Sequence, residues 1–271
     1  MRVLFFGTSA FAVPSLEQLA QSHHVLVQCV TQPDRPRGRG LKREPSPVKQ
    51  AAERLGVPLS QPERLSGQRY DELAPDAGVV VAYGKLIAPA LLAMPRHGML
   101  GVHPSLLPKF RGAAPVAWAL LQGGQETGVT IFRLNERLDA GDIVQQERVP
   151  IVPSDYCDTL TDRLAHLGAS ALIRSLDALE AGEAVFRAQE ESQASLAPKL
   201  SKAQGQMDWT RPAEELARLV RATRPWPGAV TEWRGEALKI LEADAVPSAG
   251  VVDAPGTVLH VSEQAITVKA G

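Results

Sequence analysis

Residues 1–30 read MRVLFFGTSAFAVPSLEQLAQSHHVLVQCV, and this stretch decides the fold class. Residues 3–6 are continuously apolar, as expected of a short strand that is buried on both faces. The apolar residues that follow recur at helical spacing, and Pro14 falls where the first turn of a helix accepts it. A second strand is predicted over residues 25–30. A strand, a helix and a strand in this order predict parallel pairing in one sheet.

The same alternation continues as far as Ala181. Residues 31–46 interrupt it, and their prolines, glycines and charges predict a loop. The chain is therefore predicted to form a Rossmann-like, mainly parallel sheet with helices on both faces. The remaining predicted elements are a helix at 48–55, strands at 79–82 and 100–103, a helix at 115–121, strands at 129–133 and 143–149, and a long helix through 160–179.

A second, smaller domain is predicted from the change in composition after Gly182. Residues 187–206 are mostly polar and are predicted to be a linker, so the first domain is expected at 1–186 and the second at 207–271. A short helix and four short strands make this second domain β-rich and OB-like. Because the sequence ends within or just after a strand, which leaves an unpaired edge, we expect this domain to be incomplete.

Composition excludes several classes of function. The chain has 271 residues, of which 44% are hydrophobic, and this suffices for a packed core. Its net charge of −1 creates no overall field for nucleic acid, so such a partner needs a local basic patch. No apolar run reaches the roughly 20 residues that span a membrane. Cys29 and Cys157 lack metal-ligand spacing, and His23 and His24 lack metal-type partners. We therefore expect a cytoplasmic protein without a metal or a membrane partner.

The candidate chemistry lies in residues 101–115, GVHPSLLPKFRGAAP. His103 falls at the carboxyl end of a predicted strand, where open α/β sheets place their ligands. Residues 137–142, RLDAGD, add Asp139 in a predicted turn. A carboxylate beside an imidazole can fix its tautomer and assist proton transfer near neutrality. Spacing alone leaves open a plainer reading, in which His103 caps a strand and Asp139 begins a turn.

The motif HPSLLPKFRGAAP followed by LDAGD resembles the folate-dependent formyltransferases. The similarity continues through FFGTSAFAVPSLEQL, TQPDRPRGRG, VVVAYGKLI, APKLSKAQGQMDW and RPWPGAVTEWRGEALKIL, and it covers nearly every residue. It implies a monomeric enzyme that moves a formyl group from 10-formyltetrahydrofolate to the α-amino group of initiator methionyl-tRNA. It also implies that the flat pterin ring lies in an apolar slot.

The resemblance assigns site residues by position. It implies catalytic roles for His103 and Asp139. It implies folate contacts for Ser105, Leu106, Leu107, Pro108, Leu86, Ile87 and Asp139. It implies tRNA contacts for Arg35, Arg37, Arg39, Lys42 and Arg43, of which Arg39 matches the key arginine. Composition alone allows a second reading of this basic loop, as a solvated loop without a partner.

One position departs from the family pattern. The family's catalytic trio is Asn, His and Asp, and the position of the Asn is occupied here by Gly101. Loss of one oxyanion donor typically lowers turnover by about 100- to 1000-fold. We therefore expect either that a backbone N–H or a water substitutes for the missing donor, or that the protein is an impaired transferase. A water is expected to fill the vacant volume. Replacing Gly101 with Asn is expected to restore turnover.

Several alternatives remain open. The missing Asn favours a 10-formyltetrahydrofolate hydrolase, or a tRNA- or folate-binding protein without catalysis. Ser105 could act as a nucleophile, although it lacks the sequence of a nucleophile elbow. FGTSAF departs from the G-x-G-x-x-G pattern of nicotinamide cofactor sites. Arg218, Arg221 and Arg224 either contact the tRNA backbone or form an exposed helix face, and Trp226 and Trp233 are expected in the core.

Overall fold

The computed structural model describes residues 1–37, 42–247 and 252–271, except for the side chains of Arg37 and Lys42. Its strands are β1 (Arg2–Gly7), β2 (Val25–Val30), β3 (Arg35–Arg37), β4 (Lys42–Glu44), β5 (Leu59–Ser60), β6 (Ala77–Val81), β7 (Met99–His103), β8 (Glu126–Arg133), β9 (Ile143–Pro150), β10 (Ala229–Trp233), β11 (Glu236–Ile240), β12 (Val258–Val261) and β13 (Ile266–Val268). Its α-helices are α1 (Val13–Gln21), α2 (Pro47–Leu55), α3 (Pro89–Leu92), α4 (Pro115–Leu121), α5 (Cys157–Ala181) and α6 (Ala213–Thr223). Short 3-10 helices cover Ala10–Ala12, Tyr70–Leu73, Glu191–Gln193 and Lys202–Gly205.

The chain divides into two compact units, each built from separate segments. The first unit comprises Met1–Gly112, Thr127–Val149 and Thr161–Leu196. The second comprises Ala113–Glu126, Pro150–Leu160 and Ala197–Gly271. These units place α4 with α6, because the two helices pack against each other although they are far apart in sequence. The expected linear bounds of 1–186, 187–206 and 207–271 stay a prediction.

The first unit is organised by a seven-stranded sheet in the order β5-β2-β1-β6-β7-β8-β9. Neighbouring strands from β5 to β7 run parallel, and β8 pairs with β7 in antiparallel fashion. All residues of β7 are buried, as its apolar sequence predicts. The predicted mainly parallel sheet with helices is confirmed. Within the described ranges, no helix combines the length and the apolar composition needed to cross a membrane.

The segment expected to be a loop contains a short hairpin. In residues 31–46, β3 pairs with β4 through Arg35 opposite Glu44 and Pro36 opposite Arg43. The loop prediction is therefore wrong for these strands, because backbone pairing at a two-stranded ribbon tolerates charge and one proline. The helix α2 then starts where Ser46 accepts a hydrogen bond from the Lys49 N–H, at an oxygen–nitrogen distance of 3.0 Å.

The second unit combines α4 and α6 with two antiparallel hairpins, β10–β11 and β12–β13. Leu219 and Val220 of α6 pack with Ala229 of β10, and Leu121 of α4 borders this cluster. The indole N–H of Trp209 donates to Thr231 Oγ1 at 2.9 Å. The predicted β-rich C-terminal region is confirmed.

Candidate active site

His103 lies at the carboxyl end of β7, inside the sheet. The strand is bordered by β6 on one side and by β8 on the other, and His103 is opposite Thr130. Its side chain is 7% exposed. The carboxyl ends of the parallel strands β6 and β7 meet at this edge of the sheet, which is where α/β folds bind ligands.

The surroundings of the His103 ring distinguish its two nitrogens. Nε2 lies 2.9 Å from the carbonyl oxygen of Phe110, whereas Nδ1 lies 3.7 Å from Asp139 Oδ2. A carbonyl oxygen can only accept a hydrogen bond, so Nε2 carries the proton in the neutral ring. The lone pair of Nδ1 is therefore directed to the side of Asp139, where it can take up a proton.

The direction of the Asp139 carboxylate is fixed by its own turn and by the backbone of the 101–115 segment. Asp139 has a φ of +47°, and its Oδ2 accepts a hydrogen bond from the Gly112 N–H at 2.8 Å. A Cβ atom at Gly141 would lie 1.6 Å from the Arg133 carbonyl oxygen, so the turn needs glycine at this position. The LDAGD sequence thus supplies a carboxylate with a fixed direction. The structure brings His103 and Asp139 together as expected.

Residues 187–196 hold this pair of loops in place, although they were expected to be a linker. Gln189 Nε2 donates to the carbonyl oxygens of Asp139 and Gly141, both at 2.8 Å. Ser195 contacts the other loop, because its Oγ accepts from the Phe110 N–H at 2.9 Å and its carbonyl accepts from the Arg111 N–H at 2.8 Å. We name this segment the brace.

The side chain of Arg111 joins the catalytic motif to the brace. It is 7% exposed, and it contacts Gln189 Oε1 and both carboxylate oxygens of Glu191 at 2.8–3.1 Å. These hydrogen bonds lower the pKa of Glu191, with a smaller contribution from Arg137. The sequence carried no signal for this contact, because a buried arginine requires an acidic partner but the burial of Arg111 follows only from the fold.

The predicted folate residues of the 105–108 segment form the buried side of the same loop. Ser105 Oγ donates to the Lys109 carbonyl at 2.6 Å, and Thr130 Oγ1 donates to the Ser105 carbonyl at 2.6 Å. Ser105 is fully buried, so the alternative of a serine nucleophile is wrong. Leu107 is buried, whereas Leu106 and Pro108 are half-buried.

Apolar side chains near the carboxyl edge remain in water. Leu86, in the segment after β6, is 87% exposed, and Leu138, next to Asp139, is 60% exposed. Ile87 packs against a core cluster that includes Tyr83. Single exposed leucines are common on protein surfaces, so the exposure of these two does not by itself mark a ligand site. Folate contacts of Leu86 and Ile87 stay predictions.

Two family profiles match most of the chain. The first is formyl transferase, over residues 1–176, and the second is formyl transferase, C-terminal domain, over residues 199–271. The chain belongs to the formyl transferase family.

Individual proteins agree with this assignment. The methionyl-tRNA formyltransferase of Pelotomaculum thermopropionicum is 43% identical over an alignment of 275 positions, which covers 100% of this chain and 88% of that protein. The N-formyltransferase from Helicobacter canadensis, in complex with folinic acid and dTDP-3-aminofucose, has a TM-score of 0.73 at 14% identity, covering 99% of this chain and 95% of that chain. A variant of HypX from Aquifex aeolicus has a TM-score of 0.70 at 18% identity, and this chain covers 44% of it. At such identities, the two structures show a shared fold.

In this formyl transferase, the space beside Gly101 is filled by side chains. A Cβ atom at Gly101 would lie 2.6 Å from Phe132 Cε1 and 2.7 Å from Leu134 Cδ1. The Phe132 ring also meets the His103 ring edge-on, with 6.5 Å between centroids. The expected vacant volume with a water is therefore wrong, because an aromatic ring packs there.

The basic hairpin of this formyl transferase is described in part. Arg35 and Arg43 are exposed on β3 and β4. Arg39 lies outside the described residues, as do the side chains of Arg37 and Lys42. The predicted tRNA contacts of these five residues stay predictions.

The arginines on or after α6 differ in their surroundings. Arg224 Nε and Nη2 bind the Asp158 carboxylate at 3.0 Å, and the guanidinium lies 3.8 Å from the Tyr156 ring centroid. The Asp158 hydrogen bonds raise the pKa of Arg224. Arg218 and Arg221 line a cavity of about 320 Å³ in the second unit. Arg224 is thus held by an ion pair, and Arg221 also has an internal partner, because its Nη1 donates to the Pro153 carbonyl at 3.2 Å.

Two further expectations from sequence need correction. Trp226 and Trp233 are each 50% exposed, so neither is a core residue. His23 and His24 do have partners of metal-ligand type, because the fold brings Asp177 of α5 beside them. The sequence could not indicate this contact, since 153 positions separate His24 from Asp177.

Proposed function

We propose that this formyl transferase moves the formyl group of 10-formyltetrahydrofolate to the α-amino group of initiator methionyl-tRNA. The pairing of His103 with Asp139 at the carboxyl end of β7 carries the proposal, with 3.7 Å between Nδ1 and Oδ2. The 43% identity to a methionyl-tRNA formyltransferase over the whole chain supports the choice of acceptor.

The chemistry exchanges one C–N bond for another. The acceptor amine attacks the formyl carbon, the bond from that carbon to N10 breaks, and one proton leaves the amine while one reaches N10. His103 Nδ1 has the lone pair that accepts the first proton. Asp139 stabilises the resulting imidazolium, because its carboxylate is fixed by the Gly112 N–H on the same side of the ring. At 3.7 Å the two groups are too close for a water to lie directly between them, so a water that relays the proton would bridge them from the side.

Folate and tRNA are proposed to use separate surfaces. The loop at 105–108, in which Leu106 and Pro108 are half-buried, and the exposed Leu86 provide an apolar surface for a flat ring, with Ile87 and Asp139 beside it. Arg35 and Arg43 expose two positive charges on a hairpin that contains further basic residues in its sequence. Phosphates bind such a surface in a salt-dependent manner. We further propose that the enzyme acts in the cytoplasm as a monomer and that no metal takes part in the transfer.

The experiment incubates purified protein with 10-formyltetrahydrofolate, with and without initiator methionyl-tRNA. Formylated methionyl-tRNA is expected when both substrates are present. Release of formate without tRNA would instead indicate a hydrolase, and folate binding without either product would indicate a binding protein. His103→Ala should lose the activity, whereas His166→Ala should keep it, since His166 is exposed on α5.

A further inference from the structure

A group of side chains of metal-ligand type lies at the amino ends of the parallel strands, whereas His103 lies at their carboxyl ends. His23 and His24 directly precede β2, which runs parallel to β1, as β1 does to β6 and β6 to β7. The amino end of β2 is therefore remote from the carboxyl end of β7. Asp177 and Glu180 reach the two histidines from α5, where residues three apart share one helix face.

The donor atoms of this group converge. Asp177 Oδ1 lies 3.1 Å from His24 Nε2 and 3.7 Å from His23 Nε2. Glu180 Oε2 lies 3.0 Å from His23 Nε2, whereas its distance of 3.6 Å to His24 is measured to Nδ1 and not to the Nε2 that faces Asp177. His23, His24 and Asp177 can each offer one ligand atom, and these three atoms all lie within 4.8 Å of one another.

The side chains differ in burial and in charge. His24 is completely buried, whereas the His23 ring is 63% exposed and the two carboxylates are about half exposed, at 47% and 41%. Glu180 is also bound by the amino group of Met1, which donates to Oε1 at 2.6 Å and leaves Oε2 directed to the histidines. The amino group lies 3.2 Å from His24 Nδ1. The cluster is therefore anchored on its inner side and open to solvent on its outer side.

We propose that His23, His24 and Asp177 bind a divalent first-row transition cation of the Zn²⁺ class, with Glu180 as a fourth donor. Bonds of about 2.0–2.1 Å in a tetrahedral site place neighbouring donors about 3.4 Å apart. The observed separations of 3.0–3.7 Å span this value. Two imidazoles with two carboxylates suit Zn²⁺ better than Mg²⁺ or Ca²⁺, which prefer oxygen donors.

The expected role is structural. A cation at this position would tie the turn before β2 to the C-terminal part of α5, so binding should stabilise the folded state. Direct hydrogen bonds between the imidazoles and the carboxylates would give the same distances without a cation. The experiment must exclude this alternative.

The test uses the full chain without a polyhistidine tag, freed of metal by a chelator. Titration with Zn²⁺ by calorimetry should show saturation at one equivalent, and a chelator should reverse an accompanying rise in Tm. Co²⁺ should give the visible absorption bands of a four-coordinate site.

Two exposed ligands and one control complete the test. His23→Ala and Asp177→Asn should each weaken Zn²⁺ binding at least tenfold without unfolding the protein, since the His23 ring is largely exposed and the Asp177 carboxylate is about half exposed. His166→Ala, a histidine exposed on the same helix, should bind Zn²⁺ as the parent does. Absence of saturable binding to the parent, or equal affinity in all three variants, would overturn the proposal.

Discussion

The two nitrogens of His103 have unequal roles because the Phe110 carbonyl already occupies one of them. Nε2 holds the ring in position at 2.9 Å from that oxygen, which leaves Nδ1 as the nitrogen that exchanges protons. Asp139 approaches Nδ1 rather than Nε2. The Asp139 carboxylate therefore stabilises the protonated His103 ring, whereas the Phe110 carbonyl fixes the tautomer of the neutral ring.

This assignment predicts the effect of removing one charge. Asp139→Asn keeps the size of the side chain but loses the anion that stabilises the imidazolium, so kcat should fall by about 100-fold or more. Asp142→Asn changes an exposed carboxylate in the same turn and should retain parental kcat. Both variants should show parental circular dichroism and Tm. Equal turnover of the two variants would contradict the role of Asp139.

Gly101 poses a packing question as well as a catalytic one. Gly101→Asn should lower stability by about 1–3 kcal/mol, because the Phe132 ring occupies the place of the new side chain. Gly182→Asn is the comparison without crowding, since a Cβ atom there meets nothing within 4 Å and Asn is one of the residues that best tolerate the φ of +74° at this position. Urea denaturation of both variants measures the difference.

Making room should reveal whether an amide improves the site. In a Phe132→Leu background, Gly101→Asn should raise kcat by up to about 100-fold, as expected for an added oxyanion donor. The comparison with Phe132→Leu alone separates this gain from the effect of the lost ring. Identical turnover in the two folded proteins would mean that another hydrogen-bond donor already stabilises the oxyanion.

At the scale of elements, the brace connects two loops that carry the proposed catalytic groups. Gln189→Ala removes both hydrogen bonds to the 139–141 turn, which should displace Asp139 and lower kcat by about 10- to 100-fold. The KM for folate should rise by a smaller factor than kcat falls, because Asp139 is only one of the proposed folate contacts. Glu190→Gln, an exposed neighbour, should behave as the parent. A change in KM alone would argue against this role.

The basic hairpin is the element for which tRNA binding is expected. Arg35→Ala with Arg43→Ala should raise the KM for methionyl-tRNA and should lower the slope of log KM against log salt by about 1 per lost phosphate contact. Folate affinity should stay the same. Arg224→Ala serves as a contrast, since its ion pair with Asp158 is internal and its loss should lower Tm. A constant salt slope in the hairpin variant would exclude phosphate contacts.

For the whole molecule, stability should fall in acid. Hydrogen bonds to ionised carboxylates lower the pKa values of Asp34, Glu191 and Asp208 in the folded protein, mainly from Lys49, Arg111 and Thr210 respectively. Because these pKa values are lower than in the unfolded chain, the stabilisation is complete above about pH 4.5 and is lost as pH falls further.

Glu191→Gln tests this reasoning at one position. The variant should be less stable than the parent at pH 7, and the difference in free energy of unfolding should shrink as pH falls below about 4. Glu190→Gln provides the control, because Glu190 accepts hydrogen bonds from the uncharged Ser192 and Gln193. A difference that is constant with pH would show that Glu191 contributes through packing.

Sequence patterns predicted what depends on local periodicity. Residues 25–30 and 115–121 match β2 and α4 to the residue, because their apolar spacing decides both the type and the burial of the element. The contact between His103 and Asp139 was also expected, from strand ends and from the family motif. The brace was missed because polar residues that bind backbone carbonyls look like a linker in sequence. The packing of Phe132 beside Gly101 was missed because contacts between side chains of neighbouring strands leave no pattern in the local sequence.

The position of the brace has a practical consequence for domain exchange. Its residues lie between the two family matches, which end at 176 and resume at 199. A chimera that joins a foreign C-terminal domain after residue 176 or 186 would discard Gln189 and Ser195, although it would keep His103 and Asp139. A junction placed after Leu196 would retain all three segments of the first unit, together with residues 113–126 and 150–160, which lie between them in the sequence. Chimeras of this family should therefore be cut later than motif boundaries suggest.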